Sequence, residues 1–305
     1  LVAALTIALT GGTGFVGGHG LDLLEKQGTP VRALTRRPLG PRPNVEWVDG
    51  ALDQPESLGR LVEGADAVIH VAGVINAPTQ EAFDAANVHG TEAMIAAAKA
   101  AGVRRFVHVS SLAAREPQLS QYGASKAKSE AVVEASGLDW SIVRPPAVYG
   151  PGDKETFDLF KMARRGQIFM PPEGRLSLIH VDDLARLLVA LTATNTPTGT
   201  VIEPDDGRPG GWTHVELGSA LGEAVGVPAR TISTPRFLMK LGSRIDGLIR
   251  RDRAKLTADR VAYFCHPDWV ANPALAAPAE LWRPEIDTRK GLKATAEWYS
   301  EQRWH

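Results

Sequence analysis

Short runs of apolar residues, apolar on both faces, recur along the first half of the chain. They are Leu5 to Leu9, Pro30 to Leu34, Val45 to Val48, Ala67 to Val71, Arg105 to Val109 and Trp140 to Val143. Runs of this kind suit strands of a parallel sheet covered by helices on both sides. Between them lie stretches that predict helices near Phe15 to Gln27, Pro55 to Glu63, Gln80 to Ala101 and Gln121 to Ala135. The alternation predicts an α/β fold, a doubly wound parallel (Rossmann) sheet whose ligands sit at the carboxyl ends of the strands.

After Gly150 the pattern changes. Pro and Gly clusters at Pro151-Gly152, Pro171-Pro172 and Gly207 to Gly211 separate shorter elements. The expected organisation is a sheet domain over 1–150 and a smaller C-terminal lobe over 151–305, with some chain crossing back to the sheet. Within the lobe, Arg236 to Arg251 is amphipathic, with Phe237, Leu238, Leu241, Ile245, Leu248 and Ile249 interleaved with basic residues. Packing of this helix on the lobe's core is the favoured reading, ahead of a place on a membrane surface. Trp282, Trp298, Tyr299 and Trp304 are expected to pack the terminal helix.

With 305 residues and 44% hydrophobic content, the chain can bury a large core without crosslinks. Its net charge is -1 and its basic residues cluster only in pairs such as Arg36-Arg37, so no positive stripe argues for nucleic acid. Cys265 is the single cysteine, which excludes an internal disulfide and a cysteine metal cluster and fits a reducing, cytoplasmic setting. No apolar stretch reaches the roughly 18 residues that span a bilayer, and no membrane partner is expected. Leu1 to Leu5 lacks the basic flank and cleavage site of a signal peptide, and residues ahead of Leu1 are to be expected because the sequence opens without methionine.

The first apolar run leads into Thr10-Gly-Gly-Thr-Gly-Phe-Val-Gly17, ahead of the first helix. A glycine at 11 permits a tight turn, one at 14 lets a pyrophosphate approach the backbone at a helix N-terminus, and one at 17 lets helix and strand pack closely. Thr13, Phe15 and Val16 complete this dinucleotide turn. The second strand ends in Arg36-Arg37, where a site for an unphosphorylated ribose would carry an acid. Guanidinium groups suit a 2'-phosphate, so NADP is favoured and NAD remains the alternative.

In Ser120 to Glu130, Tyr122 and Lys126 stand four residues apart and share a helix face. A phenol of pKa about 10 beside a cation becomes able to exchange its proton nearer neutrality. The run His180-Val-Asp-Asp183 has no second histidine at ligand spacing; Asp182 is placed to cap a helix, and no metal is expected.

These motifs, with Asp66 to Gly73, Asn87 to Thr91, Val109 to Ser111, Arg144 to Gly152 and His180 to Leu184, resemble in order and spacing the extended branch of the short-chain dehydrogenase/reductase superfamily, the NAD(P)-dependent epimerase/dehydratase family. The resemblance implies that Tyr122 exchanges a proton with a substrate oxygen that Ser111 hydrogen-bonds, with Ser110 structural. Lys126 would favour the phenolate and hold the nicotinamide ribose, and Asn87 would serve the cofactor and proton path. Arg36 aligns with the arginine of NADP-dependent members; Ala51 and Leu52 would lie near the adenine, Ala72 and Gly73 along the cofactor, and the Pro145-Pro146 backbone near the carboxamide.

The implied activity is NADP(H)-dependent reduction of a small carbonyl or oxidation of the alcohol, by a monomer or homodimer. One alternative is a nucleotide-sugar epimerase that retains its cofactor, although the acid after the second strand and a long loop before Tyr122 are missing. A sugar 4,6-dehydratase is disfavoured because Ser110-Ser-Leu112 replaces the Thr-Asp-Glu of those enzymes. A further alternative is a non-catalytic NADPH-binding assembly protein resembling the accessory subunit of respiratory complex I.

Overall fold

A computed structural model describes residues 5–250 and 258–304, with side chains to Arg244 and again from Arg260. The chain forms two compact units. The first comprises residues 1–145, 182–203 and 277–283, and the second 146–181, 204–276 and 284–305.

The first unit is built on β1 (Ile7–Thr10), β2 (Val31–Thr35), β3 (Val45–Asp49), β4 (Ala67–His70), β5 (Arg105–Val109) and β6 (Asp139–Val143). With a seventh strand, Thr200–Ile202, they form one sheet in the order Thr200–Ile202, β6, β5, β4, β1, β2, β3. Every pairing is parallel; Ile7 stands in register with Val31 on one side and Ala67 on the other. Strands β1, β4 and β5 are buried along their whole length, which is why their sequences are largely apolar on both faces, with Thr10, His70, Arg105 and His108 as buried polar exceptions.

The helices of this unit include α1 (Phe15–Lys26), α2 (Pro55–Val62), α3 (Gln80–Asp84), α4 (Gly90–Ala100) and α5 (Gln121–Glu134). Leu58, Leu61 and Val62 of α2 and Met94, Ile95 and Ala98 of α4 pack with Val68 and Phe106 in one core. The single helix expected over Gln80 to Ala101 is interrupted: Ala85–His89 forms a π-helical turn joining α3 to α4. Asn87 in that turn is drawn inward, its amide pairing with both backbone groups of Val74. A bond to a buried side chain thus overrides the helical periodicity.

In the second unit, Ala147–Tyr149 pairs with Leu178–His180, and Gln167–Met170 with Arg230–Ser233, both parallel. Its core gathers Tyr149, Phe160, Trp212, Leu217, Leu292 and Tyr299. The helix His214–Val225 starts with a capping box in which Thr213 and Glu216 bond reciprocally. Trp298, Tyr299 and Trp304 pack on one another at the terminal helix Thr288–Glu301, and Tyr299 donates to the Asp153 carbonyl at 2.6 Å. Trp282, expected among them, belongs to the first unit, where its indole N–H donates to the Asp183 carbonyl at 2.9 Å.

The helix Arg236–Arg250 also departs from expectation. Met239, Gly242 and Ser243 are its inward positions, whereas Phe237, Leu238 and Leu241 are exposed. The thioether of Met239 lies 3.6 Å from the Cys265 sulfur, so the first half of the helix rests on the face opposite Phe237, Leu238 and Leu241. Ile245, Leu248, Ile249 and Arg251 lie outside the described side chains. Among the described residues no helix is long and apolar enough to cross a membrane.

Candidate functional site

The strand order reverses between β1 and β4, and at such a switch point a crevice opens at the carboxyl ends of the strands. The turn from β1 to α1 begins at Gly11, whose φ of 76° lies in the left-handed region. A Cβ on Gly17 would stand 2.2 Å from the Gly11 carbonyl oxygen, so helix and turn meet at a distance only glycine allows. Thr13 and Gly14 are exposed and Phe15 and Val16 half-buried, which leaves backbone N–H groups of the helix start accessible to an anion. Ala72 and Gly73 follow β4, and a Cβ on Gly73 would come within 2.7 Å of Asn87 Oδ1. This narrow glycine cradle fits a pyrophosphate.

Arg36 and Arg37 follow β2 and are exposed. Thr35 Oγ1 donates to the Arg37 carbonyl at 2.8 Å and accepts the Arg37 N–H at 3.3 Å, fixing the backbone that carries them. Ala51 and Leu52, after β3, are half-buried; Leu52 lies against Gly90 at the start of α4. Ser111 follows β5 and Pro145 follows β6, while Pro146 opens the second unit. Apart from Lys126, which stands on α5, the cofactor candidates of the first unit thus follow strands at the same edge of the sheet.

Ser120 caps α5 by accepting the Gly123 N–H at 2.9 Å, so the helix begins one residue before Tyr122. Tyr122 is half-buried with its ring 6.2 Å from that of Phe83. Lys126 is buried and donates to the Val109 carbonyl at 2.7 Å. Burial lowers its pKa to about 8 against the opposing pull of Glu130, so it is mostly protonated at neutrality. Ser111 caps a 3-10 turn, Leu112–Arg115, by accepting the Ala113 N–H at 3.2 Å, and its own hydroxyl proton remains available to donate. Ser110 is buried, with its backbone N–H on the Val143 carbonyl at 2.7 Å and no hydrogen bond at its hydroxyl.

Beneath these residues runs a polar network that the motifs alone do not disclose. Its proton directions follow from the donors. Thr10 Oγ1 accepts the Ala72 N–H and lies 2.8 Å from His70 Nδ1; His70 Nε2 lies 3.1 Å from Thr91 Oγ1, which donates to the Asn87 carbonyl. Since Thr91 spends its proton on that carbonyl, His70 carries its hydrogen on Nε2 and accepts from Thr10 on Nδ1. Asn87 donates to Ser125 Oγ at 2.9 Å, and Ser125 donates to the Tyr122 carbonyl at 2.8 Å. The end of β1, the π turn and the first turn of α5 are therefore one connected assembly. The available signal was a histidine inside an otherwise apolar strand, in Asp66 to Gly73.

His108 stacks on His70 with ring centroids 5.6 Å apart, and its Nε2 lies 3.1 Å from Ser129 Oγ, while Nδ1 is buried without a partner. Burial, reinforced by the charge of Lys126, lowers His70 to about 3 and His108 well below the ordinary histidine range. Both rings are neutral. A second cluster braces the end of β6: Arg144 forms a two-pronged pair with Glu130 at 2.6 and 2.9 Å, and Glu203 lies between Arg144 and Arg115 at 3.4 and 3.3 Å.

Asp182, expected as a helix cap, stands one residue past the start of its helix. It lies inside the first turn of Val181–Ala190, where it pairs with His19 Nδ1 at 2.5 Å. Among the described residues no group of three or more His, Cys, Asp or Glu side chains could hold a metal ion.

A family profile described as NAD(P)H-binding matches residues 11–195. The chain is 38% identical to a ceramide reductase of Caulobacter vibrioides over 98% of its length and 95% of that protein's. It is 28% identical to a 2-alkyl-3-oxoalkanoate reductase of Stenotrophomonas maltophilia, covering 95% of this chain and 98% of the relative. Among solved structures, MoeE5 in complex with UDP-glucose and NAD superposes with a TM-score of 0.76 at 22% identity, covering 98% of this chain and 99% of that one. The chain belongs to the NAD(P)H-binding family of extended short-chain dehydrogenases/reductases. It is an NAD(P)-dependent oxidoreductase of that superfamily, and its cofactor is a nicotinamide dinucleotide.

Proposed function

We propose that the chain uses NADPH to reduce a ketone carried on a long-chain apolar molecule. The observation that carries this reading is the likeness to ceramide reductase along nearly the whole of both chains. The reductase named for a 2-alkyl-3-oxoalkanoate also has a substrate that joins a carbonyl to an alkyl group. A small carbonyl, as the motifs imply, would be the reacting part of such a molecule. The solved structures named as sugar-nucleotide epimerases, at 19% identity and below, bear on the fold alone.

When bound, NADPH supplies the hydride. The glycine cradle, Gly11 to Gly17 with Gly73, would hold its pyrophosphate, and Arg36 with Arg37 its 2'-phosphate. Tyr122 would give its phenolic proton to the ketone oxygen, and Ser111 would donate a hydrogen bond to the same oxygen. Lys126, anchored to Val109 and protonated, would favour loss of that phenolic proton by its charge. Asn87 and Ser125 fix the backbone turn from which Tyr122 projects.

Two measurements follow. With a long-chain 3-oxo compound, one NADPH should be consumed for each alcohol formed, followed at the nicotinamide absorbance band beside product analysis. Isomerisation of a nucleotide sugar with no net cofactor oxidation would instead establish an epimerase. Separately, wild type should bind NADPH roughly tenfold to a hundredfold more tightly than NADH, the contribution of a charge-assisted pair to the 2'-phosphate. Arg36→Ala should remove most of that difference without weakening NADH. Equal affinities in wild type would contradict the assignment of Arg36.

A further inference from the structure

Over Arg236 to Arg244, the described side chains of the helix Arg236–Arg250, the large apolar residues face outward, with Phe237 67%, Leu238 45% and Leu241 52% exposed. Arg236, Lys240 and Arg244 are exposed beside this apolar arc, following one another at intervals of four along one edge. From Arg236 to Lys255 the sequence carries seven basic residues and two acidic ones, in a chain whose net charge is only -1. The strand that feeds the helix, Arg230–Ser233, pairs with Gln167–Met170, where Phe169 is also exposed in register with Ile232. A stably folded lobe would ordinarily turn such an arc onto its own core.

We infer that this helix seats the protein on an anionic lipid surface, with Phe237, Leu238 and Leu241 entering the headgroup boundary and the basic edge meeting lipid phosphates. The charge decides between occupants. An isologous pair of copies would bring two basic edges into one interface with Asp246 as the helix's sole acid, whereas an anionic bilayer complements both the arc and its edge. A peripheral anchor needs no bilayer-crossing helix. Its use in catalysis rests on the apolar-substrate reading: a ketone whose alkyl chain partitions into the bilayer would be met at the surface where it resides. The binding itself does not depend on that reading.

The full chain is tested by co-sedimentation with vesicles of phosphatidylcholine alone and of phosphatidylcholine with phosphatidylglycerol in roughly equal parts. Wild type is expected to sediment with the anionic vesicles and much less with the neutral ones. Lys240→Glu with Arg244→Glu should weaken binding by roughly 30-fold or more, and Phe237→Ser with Leu241→Ser should lose the salt-resistant part. Both variants should retain wild-type NADPH affinity, which reports folding of the cofactor domain, and their unfolding should remain cooperative. Wild type that stays in the supernatant with anionic vesicles, or variants that bind as wild type does, would overturn the inference. So would a concentration-dependent dimer abolished by Phe237→Ser with Leu241→Ser, which would assign the face to a second copy. If ketone reduction is never found while vesicle binding behaves as described, only the substrate reading fails.

Discussion

Replacing Tyr122 by phenylalanine is expected to lower kcat by about 10²–10⁴-fold while leaving cofactor affinity within about a factor of two. The substitution removes one oxygen from a half-buried ring whose packing on Phe83 needs only the carbon skeleton. Lys126→Ala should behave differently. It strands the Val109 carbonyl and deletes the cation, so both turnover and cofactor affinity should fall. Ketone-dependent NADPH oxidation beside a fluorescence titration separates the two profiles. A Tyr122→Phe protein with near-normal kcat would mean that the proton comes from another group.

The neutral histidines predict an acid-sensitive fold. His70 titrates at about 3 in the native state against an ordinary 6.5, and His108 shifts the same way. Below pH 6.5 the unfolded chain therefore binds protons that the native state refuses. Stability is fully present above that value and is lost as pH falls toward 3. For His70 the loss at about pH 5 should be on the order of 2 kcal/mol, before most carboxylates protonate. Urea unfolding at neutral pH and at about pH 5 should show His70→Gln losing less stability than wild type by roughly that amount. Parallel losses in both proteins would show that the ring is not held neutral.

The sheet was readable from the chain because its strands are covered on both faces. Arg105–Val109 falls at its expected bounds, and the other five expected strands shift by one or two residues at one or both ends. The nucleotide turn was readable for a related reason: Gly11 and Gly17 answer to backbone geometry that no other residue satisfies. What periodicity missed depends on contacts distant in sequence. The break at Asn87 arises from its bonds to Val74 and Ser125, and the hidden histidine pair from threonine and serine partners on other elements. The outward placement of Phe237, Leu238 and Leu241 departs from expectation because amphipathicity reports that a helix has two faces, not which one meets the protein.

The π turn at Ala85–His89 has a consequence for how this stretch is built. A π turn holds one residue more than an α turn would, so the faces of α3 and α4 are offset by about a quarter of a revolution or slightly more. Phe83 can then meet the ring of Tyr122 while Met94 and Ile95 enter the core beneath the sheet, with no loop spent on the change of direction. An inserted residue at this point is absorbed as a phase shift in a continuous helical ladder, so a difference of one in length here would alter which side chain faces α5 without altering the path of the chain.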